Sequence, residues 1–158
     1  MTKYRGFTLV ELVLVIVILG TLATIAMPRL GSSSVFSGSA FRSQVVSALR
    51  YAQKAAVSHR RLVCVVLTQS TVTLQIASAN PATGCASVFV SPDGTAYQRK
   101  DSTVVVSGSS LTSGLFFQPS GQVTTDGSGS ILVAGVTGAI NITGQTSIQI
   151  EGATGYVE

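Results

Sequence analysis

Arg5-Gly6-Phe7-Thr8-Leu9-Val10-Glu11 marks the point where the chain turns from polar to apolar. Lys3 and Arg5 lead into Gly6, and the 21 residues from Phe7 to Met27 then hold one charge, Glu11. At about 1.5 Å per residue, a helix of that length reaches roughly 30 Å, the thickness of a bilayer core. The stretch therefore predicts a membrane-spanning helix over 7–28. A carboxylate inside such a segment is expensive, which makes Glu11 a candidate functional residue by default. The cations ahead of the run predict a cytoplasmic amino terminus, with the rest of the chain across the membrane.

Two plainer readings compete. A secretory signal has a shorter apolar core closed by a small-residue cleavage site; this run is longer and no A-x-A pattern closes it. A simple anchor has no use for Glu11. With those set aside, Lys3-Tyr4-Arg5-Gly6-Phe7-Thr8-Leu9-Val10-Glu11 resembles the class III signal of type IV pilins and type II secretion pseudopilins. Val15 to Gly20 with Ala26-Met27-Pro28-Arg29 is most similar to the mannose-sensitive haemagglutinin type of pilin. The resemblance implies a leader over 1–6, cut by prepilin peptidase between Gly6 and Phe7, and N-methylation of Phe7. It also implies that Glu11 acts in assembly, its carboxylate neutralising the new terminal amine of a neighbouring subunit. An ammonium and a carboxylate each cost free energy in an apolar setting, and less when paired. The implied partners are other pilin or pseudopilin subunits, prepilin peptidase, an inner-membrane assembly platform and the inner membrane itself. The implied destination is the pilus or pseudopilus, with the C-terminal domain periplasmic.

Pro28 should bend the helix, since proline removes a helix hydrogen bond and crowds the preceding turn. Gly31-Ser32-Ser33-Ser34 is weak helix material. From Ser39 to His59 the pattern turns amphipathic: Phe41, Val45, Leu49, Ala52 and Ala56 recur at three- and four-residue steps. Arg42, Arg50, Lys54, Arg60 and Arg61 follow an adjacent stripe. The segment 29–61 thus reads as a helix that packs one face and leaves a basic face free. In the family the packed face meets a small sheet.

After Arg61 the pattern becomes β. Strand candidates are 61–67, 71–76, 87–90, 103–106, 115–118, 130–134, 139–143 and 147–151, separated by glycine, serine and Asp-Gly clusters. The chain is therefore α+β: a long N-terminal helix, half membrane-spanning and half amphipathic, packed on an antiparallel β domain over 62–158, the pilin fold. Leu115 to Gly121, with short glycine-spaced strands and an early cysteine pair, resembles the FimT/GspH group of minor pilins and pseudopilins. That group often ends on a basic motif, and here Gly152 to Glu158 holds no cation. Cys64 and Cys85 are expected to form a disulfide in an oxidising compartment, the other reading being two buried thiols.

The charges are segregated. Residues 29–61 carry six cations and no acid; residues 62–158 carry two cations and five acids. The formal charge is +4, and removing residues 1–6 takes away Lys3 and Arg5 to leave +2. A basic stripe can attract DNA phosphates without sequence preference, as some members of the FimT group bind DNA for uptake. The stripe has no interleaved aromatics to stack on, so solvation or packing against the acidic lobe of the next subunit is the better reading. Nothing points to catalysis. No Ser/His/Asp set, phosphate loop or metal-helix motif is present, and two cysteines with one histidine are no zinc site. No cofactor or metal is expected. The resemblance implies a structural minor pilin or pseudopilin, processed by prepilin peptidase and assembled into a type IV pilus. A type II secretion pseudopilin and a DNA-uptake pilin are the alternatives.

Overall fold

The computed structural model describes residues 7–30, 33–107, 114–134 and 138–158, with side chains described over 7–24 and from Phe36 onward. The chain divides into two compact units, Met1–Ser33 and Ser34–Glu158. The first is built on helix α1, Leu9–Leu30. The helix runs on through Pro28 to Leu30, and the side chain of Pro28 lies outside the described ones.

Helix α2, Ser33–His59, organises the second unit. The apolar stripe of the sequence is its buried face: Phe41, Val45, Leu49, Ala52 and Ala56 are all at most 1% exposed, and Ala48 joins them. Small alanines let the sheet approach the helix closely. The helix stops in a Schellman turn, with Arg61 N–H donating to the Ala56 carbonyl and Arg60 N–H to the Val57 carbonyl. Arg60 occupies the left-handed position of that turn, φ 52°, where glycine is usual.

The strands are β1 Val63–Leu67, β2 Thr71–Ile76, β3 Ser87–Val88, β4 Gln98–Lys100, β5 Val106–Ser107, β6 Leu115–Phe117, β7 Val123–Thr124, β8 Ala139–Ile142 and β9 Ile148–Gln149. One sheet runs β3-β2-β1-β6-β7, with β4 also on β2; the other runs β5-β8-β9. All pairings are antiparallel, so the α+β expectation holds. The register of β1 sets Val63 beside Phe117 and Ile76, and Val65 beside Leu115 and Leu74. That row faces α2, and Val106, Ile140, Ile142 and Ile148 from the second sheet complete a single core. Burying each such side chain contributes about 1.5–3 kcal/mol before entropy is counted.

The opposite face of the first sheet has a core of its own. Cys64 and Cys85 are bonded, with Cα atoms 6.0 Å apart. Leu62, Cys64 and Ala77 are buried there against Ala82, Cys85 and Phe116. The disulfide thus staples loop 77–86 across the back of β1.

The strand forecast needs four corrections. β4 was not foreseen, because Gln98-Arg99-Lys100 has the composition of a polar edge strand. β7 was missed because two residues carry no periodicity. Residues 130–134, expected as a strand, form only the isolated bridge Thr124↔Leu132. The strand expected over 103–106 begins at Val106 instead. Between β3 and β4 the chain leaves the edge of β2 as a hairpin, closed by Tyr97 N–H to the Phe89 carbonyl and Ser91 N–H to the Thr95 carbonyl. Tyr51 of α2 stacks on Tyr97 at 5.3 Å and meets Phe89 edge-on at 5.4 Å. The Arg99 guanidinium lies 4.7 Å over the Tyr97 ring.

Candidate functional site

The expected processing site, Gly6-Phe7, straddles the start of the described residues; Gly6 lies outside them. Phe7 is 76% exposed. Thr8 caps α1: its carbonyl accepts from Leu12 N–H at 3.2 Å and its hydroxyl oxygen accepts from Glu11 N–H at 3.3 Å. Thr8-Leu9-Val10-Glu11 therefore has the spacing of a capping box, with Glu11 in the first helical turn. The carboxylate lies where the helix dipole favours negative charge, typically by 0.3–1 kcal/mol. A structural role for Glu11 as a helix-start residue thus stands beside the assembly role expected of it. The two differ in outcome: capping alone would make loss of Glu11 a mild local defect.

The described side chains of α1, Leu9 to Thr24, are all exposed. Leu9, Val10, Leu12, Leu14, Ile16 and Leu19 are each more than half exposed, an apolar surface far beyond what a monomer shows to water. Among the described residues no helix is long and apolar enough to cross a membrane; the described side chains of α1 span only about 24 Å at 1.5 Å per residue.

The basic stripe of α2 is divided by the fold. Arg42 Nε donates to the Thr146 carbonyl at 2.9 Å. Arg50 donates to the Val157 carbonyl through Nη2 at 2.9 Å and Nε at 3.3 Å. Gln53 Nε2 donates to the Thr154 carbonyl at 2.8 Å. The face expected to be free is therefore, at these positions, the clamp that holds the C-terminal segment against α2. A cation can bind carbonyls as well as phosphates, and charge counting alone could not tell the two apart. Lys54, Arg60 and Arg61 remain exposed at the end of the helix. His59 packs its ring edge-on against Phe89 at 6.0 Å.

The acids are mostly occupied locally. Asp126 accepts from the Ser128 hydroxyl and from the N–H groups of Ser130 and Ile131 at 3.0 and 2.7 Å. These bonds, the Ser128 hydroxyl first, lower its pKa to about 2. Asp93 and Asp101 are lowered likewise, by the backbone N–H and hydroxyl of Thr95 and by the hydroxyl and N–H of Thr103. Glu151 and Glu158 are exposed. Among the described residues no cluster of three or more His, Cys, Asp or Glu could hold a metal ion.

Comparison with known proteins adds one match. Residues 1–27 fit the prokaryotic N-terminal methylation motif. The match supports a type IV pilin-like precursor, a substrate of prepilin peptidase that assembles with other pilin subunits. It spans Gly6, Phe7 and Glu11 and ends one residue before Pro28. No curated protein and no solved structure matches the chain.

Proposed function

We propose that this chain is a structural subunit of a type IV pilus, of the minor kind by the likeness of its globular half to the FimT/GspH group. It is made as a prepilin, held in the inner membrane by a single pass of the 7–28 segment, cut between Gly6 and Phe7, and methylated on Phe7. The observation that carries the reading is the methylation motif over residues 1–27, joined to a helix that opens at Thr8 with Glu11 in its first turn. In a filament the exposed apolar side chains of α1 would be covered by the same segment of neighbouring subunits. The carboxylate of Glu11 would meet a neighbour's terminal amine, so that one axial stagger is favoured over the others. The disulfide suits a domain that folds outside the cytoplasm.

The test is a deletion strain, with sheared surface filaments and secreted protein quantified from one culture. Loss of filaments with normal secretion is the expected result. Loss of secretion with filaments intact would make the chain a pseudopilin of type II secretion instead. Mass spectrometry of the mature chain should find N-methylphenylalanine from Phe7 at the terminus. Glu11→Val should be inserted and cleaved but give at least tenfold fewer filaments, whereas a residue used only in capping would leave filament numbers near normal.

A further inference from the structure

The fold of the globular unit leaves a few charges without partners, and they are sorted by sign. Arg42 and Arg50 are committed to carbonyls of the C-terminal segment, while Lys54, Arg60 and Arg61 stand exposed at the end of α2. Asp93, Asp101 and Asp126 are held inside their own turns, while Glu151 and Glu158 stand exposed. Among the described residues none of these five exposed side chains makes a hydrogen bond or an ion pair.

The two free carboxylates share one face. Gln149 and Glu158 exchange backbone hydrogen bonds at 2.9 and 3.0 Å, and Glu151 N–H donates to the Tyr156 carbonyl at 2.9 Å. Between these pairs Ile150 and Val157 are bridged and buried in the core. Strand alternation therefore puts Gln149, Glu151, Tyr156 and Glu158 together on the outer face, and all four are exposed, Tyr156 by 58%. Residues 138–158 hold no lysine or arginine. A tyrosine beside two carboxylates has the chemistry that receives an arginine: the carboxylates accept its N–H groups and the ring attracts its cation. The molecule already uses the ring interaction once, with Arg99 over Tyr97.

The free arginines are placed to supply that partner. Arg60 holds φ 52°, where glycine would close the same turn without the steric cost. An arginine that is unfavourable for its own backbone, with a side chain in solvent, points to a contact outside the molecule. A contact between unlike patches is head-to-tail, the kind that builds filaments or rings rather than self-complementary pairs. Complementary charge also fixes register and excludes wrong partners.

We propose that Arg60 and Arg61 of one copy dock on the Glu151, Tyr156 and Glu158 face of a second copy. The proposal rests on the filament-subunit reading above and names a contact between globular units in that filament.

The experiment uses the full chain in its own host. An Arg61→Cys/Tyr156→Cys double variant is oxidised, and sheared filaments and membranes are both run on non-reducing gels. The expected result is a ladder of multimers of this chain, absent from each single variant. No ladder in either fraction, or a single adduct with a different protein, overturns the proposal. Arg60→Gly, added to the cysteine pair, eases the backbone and removes one docking cation, so the ladder should weaken at least threefold at an unchanged subunit level; an undiminished ladder counts against the contact. Charge reversal gives a second arm. Arg60→Glu/Arg61→Glu and Glu151→Arg/Glu158→Arg should each reduce filaments at least tenfold, and the four changes combined in one chain should restore them. Wild-type filament numbers from either half, or no recovery in the combination, overturns it too. Glu11→Val separates the two claims. If that variant still makes filaments, the pilus reading itself fails. If it makes none while the charge reversals make them normally, only the docking contact falls.

Discussion

Arg60 is a residue at odds with its backbone. It holds φ 52° at the end of α2, a conformation that costs a side-chain-bearing residue about 1–2 kcal/mol. Arg60→Gly should therefore raise stability by about 0.5–1 kcal/mol, the gain being trimmed by the freedom glycine has when unfolded. A higher urea midpoint at unchanged slope is the expected readout, and a lower midpoint would mean that the arginine side chain contributes more than its backbone costs. Asp126 gives the acid side of the stability curve. Its folded pKa, about 2, is below the ordinary carboxylate value of 3.8. The folded state thus binds its proton less readily, so the contribution is present above about pH 4 and is lost as pH falls toward 2. Asp93 and Asp101 titrate in the same sense. A melting series from pH 5 to 2 should fall less steeply for Asp126→Asn than for wild type; equal slopes would contradict this account of the loop.

At the scale of elements, the helix was legible and the sheet only in part. Phe41, Val45, Leu49, Ala52 and Ala56 announce their buried face because a helix repeats every 3.6 residues and many turns vote together. β1 and β2 were equally plain, being branched and alternating. β4 and β7 were not, because a strand of two or three residues takes its identity from the neighbour it pairs with. The same limit governs Arg42 and Arg50: sequence gives their charge and helical phase, but their acceptors lie 104 and 107 residues away. Two element-scale outcomes follow. Cys64→Ser should cost about 3 kcal/mol in urea unfolding, from the lost closure of loop 64–85. Gly152→Ala should cost about 1–3 kcal/mol by overpacking, since a Cβ there would run into the Val133 carbonyl oxygen. Wild-type midpoints in either variant would count against the packing described.

Across the whole molecule, two units with different demands share one chain. Residues 34–158 enclose a continuous core from α2 and both sheets. A fragment of those residues should fold alone and unfold in one cooperative urea transition with its disulfide intact, and a non-cooperative melt would refute that. Residues 1–33 contribute no described side chain to that core, and their apolar surface awaits covering from outside. The methylation motif was readable because it is linear: cation, glycine, phenylalanine and glutamate hold fixed positions along one stretch.

The disulfide across the back of the sheet has a mechanical consequence. Tension arriving through α2 passes within four residues of its end into β1, which is laced to β2 on one side and β6 on the other. Pulling β1 lengthwise must shear both ladders together rather than unzip them bond by bond. Should they yield, the chain between Cys64 and Cys85 still cannot lengthen, because the covalent bridge bypasses its 21-residue separation. At about 3.3–3.6 Å per residue, roughly 70 Å of contour stays locked. Under load, the oxidised domain is thus a stop on its own extension.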